Sequence, residues 1–361
     1  ANQYLMGTPA LGNLDDDIEL EIVFGSFSSS AKLFAVNIDG TDVDGFPISL
    51  GEKTQKGVAL ADFNSNGKDD IIIGTDSDNI YLIYDDASVA SGFPFQTGDK
   101  VRCAPSILDI DGEKIILAGS KDNNFYAINS DGTLRFLFIS DDDIYTSPSF
   151  LSTDQGVYIF FASDSGSIYA LDLNGNLKDG FPLISDSVSE SIIFEDLDSD
   201  GIAEMIFGDE LGKMNVLKSI DLNYSSFINY DSFPISNTFA FTSSMSVSDI
   251  DNDGDIEIYG GTSGDLVVVD IKDNATISDN FWNIYRGNYL RNGLFITELN
   301  CSPGDYNGDS VFNILDIVSL VNIVIENSSL SDSQLCAADM NADGIINILD
   351  IVALVNIIIQ N

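Results

Sequence analysis

Two unequal internal repeats predict an all-β propeller of about six blades followed by a small all-α C-terminal module. The long repeat fills residues 1 to about 293. Its copies start near 13, 62, 109, 152, 196 and 249, which are 49, 47, 43, 44 and 53 residues apart. That spacing is the length of one four-stranded blade. The short repeat has a period of 34 and lies beyond residue 300, and each copy ends in an apolar segment whose few polar residues fall at helical spacing. Residues 1–297 and 298–361 are therefore read as two domains. A hydrophobic fraction of 44% with 10% aromatics belongs to a folded chain, so the formal charge of −43 does not mark disorder.

The unit of the long repeat is an acidic turn, an apolar strand ending in Gly, a polar turn, and a second strand with apolar alternation, and the copies near Asn13, Asp109, Ser152 and Asp196 are weaker or variant. The clearest copies are Asp62-Phe-Asn-Ser-Asn-Gly-Lys-Asp-Asp70, followed by IIIG and NIYLIY, and Asp249-Ile-Asp-Asn-Asp-Gly-Asp-Ile-Glu257, followed by IYGG and DLVVVDI. An open β-sandwich also has short strands and Gly-rich turns, but it does not repeat one pattern six times. Between copies, Gly-Phe-Pro recurs at 45–47, 92–94 and 180–182, with Ser232-Phe233-Pro234 as a variant. Proline is barred from central ladders, so it marks the outer strand or its exit and frees the Phe to wedge between blades.

On these residues, positions 1 to 293 resemble the FG-GAP or VCBS propeller repeats of integrin α-chain heads and many secreted bacterial proteins. The stretch Trp282-Asn-Ile-Tyr-Arg-Gly-Asn-Tyr-Leu-Arg-Asn-Gly293 resembles the Trp-containing end that closes such propellers. Integrin heads have seven blades, so the resemblance admits a seventh beside the six copies counted. The acidic turn follows D-x-D-x-D-G-x-x-D/E in the hairpin between the first two strands of a blade. Alternate oxygens on a short loop suit calcium, a hard cation that takes six to eight of them. The predicted ligands are Asp196, Asp198, Asp200 and Glu204 with the Ile202 carbonyl, and Asp249, Asp251, Asp253 and Glu257 with the Asp255 carbonyl. Asp62, Asn64, Asn66 and Asp70 with the Lys68 carbonyl form a third set. Asn13, Asp15, Asp17 and Glu21 with the Glu19 carbonyl keep the spacing but have Ile18 in place of Gly. The hairpin at Asp109-Ile-Asp111-Gly is truncated and the copy at Ser152 has lost its acids, so those blades are expected to bind nothing.

In the short repeat, Asp305-Tyr-Asn-Gly-Asp-Ser-Val-Phe-Asn-Ile-Leu-Asp316 is echoed by Asp339-Met-Asn-Ala-Asp-Gly-Ile-Ile-Asn-Ile-Leu-Asp350. The pair resembles a type I dockerin module, two F-hand calcium loops each leading into one helix. The resemblance implies ligands at Asp305, Asn307, Asp309, Asn313 and Asp316 with the Val311 carbonyl, and at Asp339, Asn341, Asp343, Asn347 and Asp350 with the Ile345 carbonyl. Ser310 replaces the turn glycine that the second loop keeps as Gly344, which predicts strain or weaker binding in the first loop. In the following helices only Ser319, Asn322 and Glu326, or Asn356 and Gln360, are polar, so most of each surface is apolar and needs a cover. Ile314, Leu315, Ile348 and Leu349 stand where dockerins place recognition residues. They are read as contacts to a cohesin-like scaffold or to a neighbouring copy of the chain, against the plainer reading that the helices fold back on their own propeller.

Composition narrows the function. With 15 basic against 58 acidic residues, nucleic acid and anionic membranes are repelled. With no His, the Ser-His-Asp triad, the Cys-His pair and His-ligated metals are absent. The most apolar stretch, 311–325, is interrupted by Asn313, Asp316, Ser319 and Asn322, so no membrane span is expected. Cys103 is expected to be a buried thiol, and the placement of Cys301 and Cys336 just before the two short motifs leaves their pairing open. Calcium loops need a calcium-rich medium, so the chain is read as an extracellular or cell-surface protein in its mature form after signal removal.

The leading expectation is a non-catalytic, calcium-stabilised propeller for adhesion, surface display or assembly, with up to four ions in the propeller and two in the module. Filament formation by head-to-tail docking is one form of this reading. Two alternatives stand beside it. One is a dockerin-bearing carbohydrate-active enzyme, which needs two uncommitted carboxylates across a cleft. The other is a polysaccharide-binding propeller using Trp282, Tyr285 and Tyr289 as stacking platforms, unless these close the core instead. The six loops hold 23 of the 58 acids, so much of the charge is read as calcium ligands.

Overall fold

Every acidic repeat folds into one sheet, and six sheets stand among the described residues. The computed structural model describes residues 4–28, 30–272, 281–297, 304, 314–326, 337–340 and 346–360. Two compact units result. The larger holds residues through Leu151 and Tyr158–Ile296, and the smaller holds Ser152–Val157 with Thr297 onward.

Blade two shows the construction. Its strands Ala59–Ala61, Asp70–Gly74, Asn79–Ile83 and Phe95–Gln96 run antiparallel in sequence order, with Ala59 opposite Ile72 and Ile71 opposite Ile83. The second strand reads Asp-Ile-Ile-Ile-Gly and is buried throughout, because both of its faces meet neighbouring blades. Leu33 and Ala35 of blade one share a core with Leu60, Ile71 and Ile73 of blade two, and Ile72 and Leu82 share another with Ile107 and Ile116 of blade three. The strand must end in glycine for lack of space: a Cβ at Gly74 would sit 2.4 Å from Val101, where the chain crosses to blade three.

The Phe-Pro punctuation falls at the entry to the outer strand. Peptide bonds 46–47, 93–94, 181–182 and 233–234 are cis, and the outer strands begin at Ile48, Phe95, Leu183 and Ile235. Phe46 joins the core between blades one and two, Phe93 packs against the one between two and three, and Phe181 meets both Phe160 and Phe227 at 5.7 Å. These are the inter-blade wedges expected. Cys103 is buried and unpaired in a disulfide, with Sγ 3.3 Å from the Gly119 carbonyl. Cys301 and Cys336 lie outside the described residues.

The innermost strands are Ala10–Gly12, Ala59–Ala61, Ser106–Ile110, Ser149–Thr153, Ile193–Glu195 and Ser246–Ser248. The channel they surround is filled by the chain itself. Along 282–297, the carbonyls of Trp282, Asn283, Leu290, Asn292 and Gly293 accept the amides of Phe194, Val247, Leu11, Leu60 and Ile107 at 2.8–3.2 Å. The segment thus bonds blades five, six, one, two and three in ring order, and its strand Leu294–Thr297 adds to the inner edge of blade three. Blade four is met by Trp282, edge-on to Phe150 at 5.1 Å, and by Phe295, stacked on Phe150 at 5.2 Å. Arg286, fully buried, donates to the carbonyls of Val58 and Ala104 and to Ser106 Oγ. The stretch expected to close the ring therefore plugs its axis. This corrects the stacking-platform alternative for Trp282 and Tyr285, which are buried because they line the plug; only Tyr289 is exposed.

In the smaller unit, helices α1 (Ile314–Glu326) and α2 (Ile348–Gln360) pack through Leu320, Leu354 and Ala338, flanked by Ile317, Ile323 and Ile351.

Candidate calcium sites

The four candidate loops of the propeller join inner to second strands, so they share one rim. Their shape follows from a recurring set of hydrogen bonds. The closing acid accepts from the amide of the second loop residue: Leu14 to Glu21 at 2.6 Å, Phe63 to Asp70 at 2.8 Å, Leu197 to Glu204 at 2.7 Å and Ile250 to Glu257 at 2.6 Å. The fifth residue accepts from the seventh amide: Glu19 to Asp17, Lys68 to Asn66, Ile202 to Asp200 and Asp255 to Asp253, all at 2.8–3.1 Å. In three loops the first acid caps the turn glycine at Gly67, Gly201 and Gly254, which have φ of +87°, +85° and +97°. Ile18 spares loop one that need, since neither it nor Asp16 is left-handed there.

Three loops converge on a cation-sized space. One oxygen from each of Asp15, Asp17 and Glu21 lies within 4.8 Å of the others, and the same holds for Asp196, Asp198 and Glu204 and for Asp249, Asp251 and Glu257. The closing acids are buried, yet Glu204 Oε1 and Glu257 Oε1 have no hydrogen-bond partner, and neither do Asp198 Oδ1, Asp249 Oδ1 or Asn13 Oδ1. Buried acceptors are normally satisfied, so five orphaned oxygens at predicted ligand positions fit a bound cation. Without one, burial and the charges of Asp198 and Asp196 push the Glu204 carboxyl up to about 8. Burial with Asp15 and Asp17 raises Glu21.

Loop two is built differently. Asp70 is shorter than Glu, and both of its oxygens accept amides, from Phe63 at 2.8 Å and Asp85 at 3.1 Å. Asn64 and Asn66 each accept one amide as well, and no buried oxygen of this loop is orphaned. Burial pushes Asp70 up to about 6. In blade three, Asp109 accepts from Gly112 N and pairs with Lys114 at 3.0 Å.

Sequence reasoning overlooked the ammonium groups of three lysines at these loops. Lys218 Nζ bonds Asp198 and lies 2.7 Å from Asp200 Oδ2. Lys272 Nζ reaches Asp253, Asp255 and Asp270, and Lys68 Nζ reaches Asp16 at 2.8 Å. Lys218 and Lys272 stand 14 and 15 residues after a closing acid, a signal that was present in the sequence.

In the small unit, Asp305, Asn307, Asp309, Val311, Asn313, Asn341, Asp343 and Ile345 lie outside the described residues. The loop-closing Asp316 and Asp350 are fully buried. Asp350 accepts the amides of Met340 at 3.0 Å and Asn347 at 2.8 Å, the first bond matching the one its counterparts make in the propeller. The candidate recognition residues are exposed in matched pairs: Ile314 and Ile348 at 68% and 67%, Leu315 and Leu349 both at 58%.

At the rim opposite the calcium loops, a cavity of about 410 Å³ is lined by Lys56, Glu190, Tyr259, Tyr285 and Arg291 among others. Glu190, its carboxylate, is paired with Lys56.

Residues 303–359 match the family model of the dockerin type I domain. Such domains bind calcium and dock onto cohesin-type partners in extracellular or cell-surface proteins. No curated protein matches the chain in sequence. Among solved structures, the chain is similar to the V. cholerae biofilm matrix protein Bap1, with 16% identity and a TM-score of 0.52 over 74% of this chain and 53% of that one. It thus spans about half the length of that relative. It is also similar to BBS1N, solved in complex with ARL6DN, with 10% identity and a TM-score of 0.51 over 77% and 84% of the two chains. At these identities the likeness shows fold alone. No helix among the described residues is long and apolar enough to cross a membrane.

Proposed function

We propose that the chain is a non-catalytic extracellular protein whose calcium-stabilised propeller, of the FG-GAP or VCBS type, is held in a larger assembly by its dockerin domain. The partner is a cohesin-type scaffold, with a neighbouring copy of the chain, and hence a filament, as the second form of the same reading. The observation that carries it is the doubled apolar face: Ile314, Leu315 and Val318 on α1 and their twins Ile348, Leu349 and Val352 on α2 are all more than half exposed. A face this apolar is retained where something covers it. One feature supports the absence of catalysis: the axial channel, where a propeller commonly places a site, is filled by 282–297. Three propeller loops hold calcium, and loop two is at best a weaker site, since its oxygens are already bonded.

Sedimentation velocity of the full chain, alone and with cohesin modules, in calcium and in chelator, tests the proposal. A larger species is expected in calcium only. A chain that stays monomeric in calcium and ignores cohesin modules sinks it.

A further inference from the structure

We infer that Lys218 is a tethered cation that competes with calcium for loop five, holding its affinity down and keeping its acids neutralised when the ion leaves. The inference rests on the calcium reading of that loop given above.

Lys218 lies within Lys213–Ser219, the third strand of blade five, and its neighbour Leu217 is paired with Met205, just after the closing Glu204. The ammonium is thus carried on a sheet, next to the loop, and not on a mobile turn. It bonds Asp198 and Asp200, the third and fifth loop residues, both of them predicted ligands. Asp200 is the decisive one. Its Oδ1 accepts the Ile202 amide at 2.9 Å and its Oδ2 is 2.7 Å from Lys218, so it offers a free oxygen only when the lysine withdraws.

The other lysines grade the effect. Lys272, which is 62% exposed against 26% for Lys218, spreads over Asp253, Asp255 and Asp270, and only Asp253 contributes a ligand side chain. Lys68 reaches Asp16, which is not a ligand. Two cations cannot share the Asp198 and Asp200 oxygens without repulsion, and repulsion is least screened where the lysine is most buried. Calcium therefore enters loop five by displacing an ion pair, a step that loop one does not need.

Tyr224 provides a local reporter, since its OH accepts the Ala203 amide at 2.9 Å, next to Glu204. The full chain, stripped of calcium, is loaded with terbium, and its tyrosine-sensitised emission is displaced by calcium; the share lost in Tyr224→Phe belongs to loop five. Lys218→Met should lower the calcium midpoint of that share about three- to tenfold, a gain that shrinks as salt is raised. Lys218→Arg should leave it within about twofold, because the charge remains. Lys218→Gln repeats the neutral substitution with a polar side chain. In chelator, the melting temperature of both neutral variants should fall, as Asp198 and Asp200 lose their counterion. A Tyr224-dependent share whose midpoint is unchanged or raised in Lys218→Met and Lys218→Gln overturns the inference alone. Absence of any Tyr224-dependent emission in the parent chain overturns the calcium reading of loop five and the inference with it.

Discussion

Trp282→Ala isolates the plug, because Trp282 is the one residue whose carbonyl bonds blade five while its ring packs on blade four. The ring is 2% exposed, and it meets Phe150 at 5.1 Å and Phe295 at 6.1 Å. Truncation leaves the backbone bond to Phe194 in place and empties a cavity at the axis, where rigid blades limit collapse. Large-to-small changes of this kind cost about 3–5 kcal/mol, of which each lost aromatic edge contact supplies about 0.5–1.5 kcal/mol. Whole domains have only about 5–15 kcal/mol to lose, so the loss is a large fraction of the total. Urea denaturation followed by circular dichroism, at fixed calcium, measures it, since ligand linkage shifts the midpoint otherwise. A Trp282→Phe variant should recover more than half of the loss. A cost below about 1 kcal/mol for Trp282→Ala would refute the plug as the element that ties the ring together, since a surface substitution costs as little.

Calcium removal should lower the melting temperature of the propeller: each site filled at a hundredfold excess over its Kd contributes about 2.7 kcal/mol, and calorimetry in calcium against chelator reads the sum. Equal melting in both would refute structural calcium. In chelator, the Glu204 carboxyl at about 8 stands above its ordinary 4.5, so the stability it lends is fully present below about 4.5 and lost as pH rises through about 8. The chelated protein should therefore melt lower at pH 8.5 than at pH 5.5 by more than Glu204→Gln does, and calcium should erase that difference because it binds the ionised form. Leu315→Glu combined with Leu349→Glu should weaken cohesin binding roughly thirtyfold or more without changing the melting temperature. Either change alone should cost less, because the matched exposure of the two helix starts leaves a second face.

Much of this was legible because the repeat wrote it six times. The spacing of the acids, the glycine at the end of five of the six second strands and the Phe-Pro punctuation are local consequences of one blade geometry, and each recurs where its physical cause recurs. The convergence of Asp15, Asp17 and Glu21 was legible even with Ile18 in the glycine position, since alternation alone sets which side chains point inward. Loop two shows the limit. Its spacing matches the others, but whether an oxygen is open depends on whether a distant amide reaches it, and the donor at Asp85 lies fifteen residues beyond Asp70. The plug was the least legible part. Nothing in 282–297 repeats, and its partners are backbone amides of five blades, which carry no residue signature. Only the ring around Arg286 explains its burial among neutral acceptors.

The plug also changes what the dockerin domain is attached to. A propeller whose last strand merely completes an outer edge would pass any pull on its C-terminus to one blade. Here the chain that leaves Thr297 for the dockerin domain comes directly from Leu294–Thr297 in blade three, then from the bonds of Gly293 and Asn292 to blades three and two, of Leu290 to blade one, and of Asn283 and Trp282 to blades six and five. Tension applied through a bound partner meets these contacts in series from the axis, so release of the C-terminus requires extracting the segment that holds the blades together. On the proposed reading, calcium in loops one, five and six fixes three of the five inner strands that supply those amides, because each loop closes the hairpin on which an inner strand begins its return. On that reading ion binding and anchorage are coupled through the inner strands of blades one, five and six, and loss of calcium should weaken the grip on the plug before the outer strands are disturbed.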